Sequence, residues 1–145
     1  MKDKTIDFVL RATWQAVAKM YNEEAAKEQS TMAIGFTLLS IDPESGSSST
    51  TLGPKMGMEG TSLSRILKSM EEKGLIIRRP NPNDGRGVLI CLTEFGKQKR
   101  EFSKEVVLKF NDIVRNHVTQ EDLNGFYKVA GVIHELIAEK KIYSN

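Results

Sequence analysis

Residues 51–96 read TLGPKMGMEGTSLSRILKSMEEKGLIIRRPNPNDGRGVLICLTEFG, and this stretch decides the fold. Thr50 or Thr51 is suited to cap a short helix, because a hydroxyl there accepts from the first unpaired backbone amides. Pro54 is then expected in the first turn, where a missing N–H costs no helical bond. Gly57 suits a left-handed stop, a second helix follows from about Gly60 to Lys73, and Gly74 supplies another stop. Two extended segments come next, Leu75 to Arg79 and Val88 to Thr93, rich in branched residues and separated by the turn-forming string PNPNDGRG. The expected unit is therefore a helix, a tight turn, a second helix and a hairpin.

The helix from Gly60 sorts into two faces at about 100° per residue. Leu63, Ile66, Leu67 and Met70 share one face, and Thr61, Arg65, Lys68 and Glu72 share the opposite one, flanked by Ser62, Ser64 and Ser69. Small hydroxyls near a helix start allow close approach to a DNA major groove, and an Arg can donate two hydrogen bonds to a guanine edge. The same pattern also describes an ordinary amphipathic helix turned to water. The hairpin shifts the balance toward DNA, since Arg78, Arg79 and Arg86 place positive charge where phosphate tracks would run.

Working outward, residues 5–28 carry Ile6, Val9, Leu10, Thr13, Val17, Met20 and Tyr21 at helical spacing without Gly or Pro. A helix from about Ser30 presents Met32, Ile34, Phe36, Leu38, Leu39 and Ile41 as core candidates, and Pro43 ends it by disfavouring helical geometry at Asp42. The run PESGSSST then reads as a surface turn. After Thr93 a long helix is expected to His117 with Phe102, Val106, Phe110, Ile113 and Val114 inward. Thr119 to Asp122 matches a capping box that opens a last helix through Lys141. The fold class is mainly α, with strands confined to a small β-hairpin.

Charge is uneven rather than large. The formal net charge is +2, but Arg65 to Arg100 holds nine Lys or Arg against four Asp or Glu, so basicity concentrates on the stretch expected to read DNA. A chain of 145 residues can bury a core without disulfide or metal. There is no run of roughly 20 apolar residues and no signal-peptide core, so a cytoplasmic protein without a membrane partner is expected. Cys91 is the single cysteine, which excludes an intramolecular disulfide, and two isolated histidines give no metal-ligand spacing; no metal or cofactor is expected. No phosphate-cradling glycine loop, nucleophile elbow or HExxH is present, which argues against an enzyme. A regulatory fold that binds protein rather than DNA is the rival reading.

In the helix pair around Gly57, the end LKSMEEKGLI, the wing RRPNPNDGR and the closing LTEFG, the stretch from Leu52 to Gly96 resembles the MarR family of winged helix-turn-helix regulators. The resemblance implies one MarR-like domain over residues 1–145, with a DNA-binding lobe at about 30–93 and dimerisation helices at about 5–28 and 94–141. It implies a homodimer on double-stranded DNA with a pseudo-palindromic operator, usually as a repressor. By position it turns Thr61, Ser62, Ser64 and Arg65 to the major groove and Lys68 toward the backbone. Arg86 would enter the minor groove, held by Asp84, although DGR is also a plain turn sequence. Family members commonly respond to small aromatic or lipophilic effectors, which makes Trp14, Phe36 and Phe110 candidate lining residues, while aromatics at this spacing also serve as core. The peroxide-sensing branch carries its reactive cysteine in the first helix, and this first helix has none.

Overall fold

The computed structural model describes residues 4–143. Its elements run α1 (Ile6–Ala26), α2 (Met32–Ser40), β1 (Ser47–Ser48), α3 (Ser49–Met56), α4 (Gly60–Glu72), β2 (Ile76–Asn81), β3 (Asp84–Leu92), α5 (Glu94–His117) and α6 (Gln120–Ala138). The chain divides into two compact units, one ending at Val106 and one beginning at Val107, and α5 runs through the boundary.

The first unit is organised by one core. Ile34, Leu38 and Ile41 from α2, Leu52 from α3, and Leu63, Leu67 and Met70 from α4 close on Leu75, Ile76, Ile90 and Leu92. Each such side chain contributes about 1.5–3 kcal/mol on burial, so the apolar face of α4 is what fixes which face looks outward. The spread of apolar residues around α2 resolves into core and non-core positions. Met32, Phe36 and Leu39 are only half-buried, and Phe36 packs edge-on against Tyr21 of α1 with ring centroids 5.7 Å apart. Thr31 caps α2 by accepting from the Ile34 amide, and the Asn22 side chain accepts from the Met32 amide at 2.9 Å, tying the end of α1 to the start of α2.

Three local expectations are corrected. The PESGSSST run is not all turn: Ser47 and Ser48 pair antiparallel with Ile90 and Leu89, giving a three-stranded sheet in the order β1-β3-β2. The cap of α3 is Ser48, which accepts from the Thr50 amide at 3.2 Å. The earlier start puts Pro54 at the sixth helical position, beyond the first turn. There it cannot donate to the Thr50 carbonyl. The hairpin is also tighter than the turn string suggests. Asn81 and Asp84 belong to the strands, leaving Pro82 and Asn83 as the turn, with a break in register between Pro80 and Asn81.

The start of α5 is welded to the lobe. Thr93 Oγ1 donates to the Gly74 carbonyl at 2.6 Å and accepts from the Gly96 amide at 3.0 Å. A Cβ on Gly96 would collide with the Leu75 carbonyl. This is why a glycine stands in LTEFG, in a helix where alanine would otherwise be favoured.

In the second unit, α6 opens with the expected capping box: Thr119 Oγ1 accepts from the Asp122 amide, and the Asp122 carboxylate accepts from the Thr119 amide, both at 3.0 Å. The Thr119 amide, bonded to that carboxylate, holds the Asp122 pKa below its ordinary value. Arg115 donates to the Tyr127 hydroxyl at 3.3 Å. No residue of α6 is fully buried.

Candidate nucleic-acid interface

The angle between α3 and α4 is set by two glycines. Gly57, at φ 65°, takes the left-handed step, and the Met58 amide donates back to the Gly53 carbonyl at 2.9 Å. Gly53 itself is buried, and a Cβ there would lie 3.3 Å from the Met58 carbonyl. Gly53 thus stands where close approach of the chain is needed.

On α4, Leu63, Leu67 and Met70 are at most 4% exposed, whereas Thr61, Ser62, Ser64, Arg65 and Lys68 are all exposed. The five residues expected to read DNA thus share one outward-facing surface. Glu59 sits at the N-cap in extended geometry without a side-chain cap bond. The first-turn amides are therefore left uncapped, and such a helix end favours an anion.

The wing arginines do not act as one group. Strand alternation turns Arg78 and Arg79 to opposite faces of the sheet. Arg78 pairs with Glu71 of α4 at 3.5 Å, which places it along the flank of α4 that also carries Ser64. Arg79 lines a groove on the other side with Ile77, Cys91 and Lys97. The Asp84 and Arg86 side chains lie outside the described residues, so the expected pairing of Asp84 with Arg86 stays an expectation. Glu71 was missed in the sequence because its partner lies on another element and only the strand register brings them together. Lys55, a basic residue of α3, is committed elsewhere: it donates to the Ser40 carbonyl at 2.8 Å and so holds the end of α2.

Trp14 is half-exposed on α1, and Phe36 contacts Tyr21 as described above. Phe110 belongs to the second unit and is half-buried. Burial pushes the Tyr21 pKa above its ordinary value. Among the described residues no His, Cys, Asp and Glu side chains gather into a group able to hold a metal, and no helix is long and apolar enough to cross a membrane.

The lobe matches known proteins. The model of the MarR family matches residues 31–88. The chain is 32% identical over 75 residues to the uncharacterized HTH-type transcriptional regulator YdgJ of Bacillus subtilis, covering 52% of this chain and about half, 46%, of that protein. It is 28% identical over 118 residues to the HTH-type transcriptional regulator SarZ of Staphylococcus saprophyticus, covering 76% and 81%. Among solved structures it superposes on MepR from a S. aureus MepR–DNA complex with a TM-score of 0.81 at 18% identity, covering 92% of this chain and 99% of the other. A shared fold, a family match over residues 31–88 and relatives named as HTH-type regulators converge on the lobe, which is similar to that of the MarR family of winged helix-turn-helix transcriptional regulators.

Proposed function

We propose that this protein is a homodimeric repressor that binds a pseudo-palindromic DNA site through α4 and the β2–β3 hairpin and is released by a small-molecule effector. The observation that carries the reading is the outward surface of α4, where Thr61, Ser62, Ser64, Arg65 and Lys68 are exposed above a face buried in the core. Thr61, Ser62 and Ser64 keep the early turns slim, Arg65 supplies bidentate donors for a guanine edge, and Lys68 neutralises phosphate. Arg78 lies beside the same helix, and Arg86 on the wing would reach the minor groove. DNA in the MepR complex is consistent with this use of the fold.

Dimerisation is supported by apolar surface that a lone chain leaves in water. Ile6, Leu10 and Trp14 on α1 and Phe126, Val129 and Ile137 on α6 are each at least 45% exposed. Burying such residues against a second copy is the ordinary way to remove exposed apolar surface of this kind. In the two-fold pair, the helices outside the lobe at about 30–93 form the dimer contact, and two α4 helices are spaced about 34 to 36 Å for successive major grooves.

Fluorescence anisotropy across a salt series tests the reading, using DNA from upstream of the protein's own gene and a scrambled duplex of equal length. Tighter binding to the upstream DNA, weakening steeply with salt, is expected. Equal affinity for both duplexes would refute sequence-specific binding, and no binding to either would favour a protein-binding winged helix.

A further inference from the structure

The sheet order β1-β3-β2 leaves β2 at an edge. Within β2, Arg78 stands opposite Ile90 across the ladder, and residues directly opposite each other project from the same face of a sheet. Ile90 is fully buried in the core. Arg78 therefore rises from the core-facing side of β2, with its hydrocarbon stem toward the rim of the core and its charged head out in water. There its Nε approaches Glu71 Oε1 of α4 at 3.5 Å, an ion pair without a hydrogen bond.

The pair does little for folding, because its side chains are 37% and 44% exposed and an ion pair in water adds little stability. It adds no charge for DNA either, since the carboxylate cancels the guanidinium. Its effect is on direction. The closest approach is through Nε, and Arg78 forms no other ion pair among the described residues. The Nη1 and Nη2 end is thus left as a fork of donors, the shape that matches a phosphate bidentately. On α4, helical spacing puts Ser64, Lys68 and Glu71 within about 60° of arc. Arg78 and Lys68 accordingly share one flank of the helix, and Lys68 forms no ion pair among the described residues.

We infer, resting on the DNA-binding reading above, that Glu71 is a positioning residue. Its carboxylate draws the Nε edge of Arg78 against α4 and presents the Nη fork, beside Lys68, to the phosphate strand that borders the groove. An arginine restrained in its bound direction before contact loses less freedom on binding. A carboxylate this close to phosphates that did nothing else would only weaken binding by like-charge repulsion. The sign of its removal therefore decides the matter.

Fluorescence anisotropy across a salt series tests this with the upstream DNA and the scrambled duplex, using wild type, Glu71→Gln, Arg78→Gln and the double variant. Circular dichroism and the urea midpoint verify that each variant is folded. Charge alone predicts that Glu71→Gln binds tighter, because it raises the net positive charge. Positioning predicts the opposite: weakening by about threefold or more, by a similar factor on both duplexes, because a phosphate contact is indifferent to sequence. Arg78→Gln is expected to weaken binding and reduce the salt slope by about 0.9. In that background Glu71→Gln is expected to cause no further weakening. Binding by Glu71→Gln as tight as wild type or tighter, an unchanged salt slope in Arg78→Gln, or equal weakening by Glu71→Gln with and without Arg78 would each overturn the inference while leaving DNA binding intact. A wild-type chain that binds neither duplex would overturn the DNA-binding reading and the inference with it.

Discussion

At Gly96, a single added methyl group has nowhere to go, because the Leu75 carbonyl occupies the space that a Cβ would fill. Gly96→Ala is expected to cost about 1–3 kcal/mol by overpacking, read as a lower urea midpoint at unchanged slope. Unaltered stability would mean that α5 shifts freely against the lobe. Arg65→Ala, on the exposed face of α4, is expected to leave the urea midpoint in place but cost about 1–3 kcal/mol of DNA binding and relax base preference. Uniform weakening on all duplexes would assign Arg65 to phosphate instead. The exposure of Arg65 was legible in the sequence because helical periodicity alone orients it. The Glu71–Arg78 pair was not, since it depends on how β2 lies against α4.

Among the elements, α4 and α6 were the most legible. The end of α4 is written in Gly74 and the start of α6 in its capping box, both local in effect, whereas α6 stops at Ala138, before the expected Lys141. β1 was not legible: two serines have no β-preference and become a strand only because the edge of β3 is free to pair. The displaced start of α3 has the same origin, as Ser48 ends the strand and caps the helix at once. For α6, Thr119→Ala is expected to cost about 0.5–2 kcal/mol through loss of the cap, with faster amide exchange confined to the first turn. The pKa of Asp122 is depressed in the folded chain. Its contribution is therefore complete above the ordinary carboxylate range and is lost as pH falls through the lowered folded value. Fraying of the first turn of α6 is expected in that acid window and should be absent in Asp122→Asn, followed by exchange at residues 120–123. A variant that frays with the same pH profile would place the titration elsewhere.

For the whole molecule, periodicity announced long amphipathic helices but could not say what covers them, because a stripe meant for a second chain looks like one meant for the chain's own core. On α1, Tyr21 is buried while Leu10 and Trp14 stand exposed, surface that the proposed dimer would cover. Leu10→Glu combined with Val129→Glu is expected to shift sedimentation from dimer toward monomer by at least about tenfold in Kd while circular dichroism stays unchanged. A wild-type chain that sediments as a monomer would refute the dimer. The anchored start of α5 bears on how the molecule can be taken apart. The boundary at Val106 and Val107 falls within a helix that has neither proline nor a further glycine after Gly96. There is thus no proline- or glycine-marked linker at that boundary for a protease to find, and a cut there would have to open a helix.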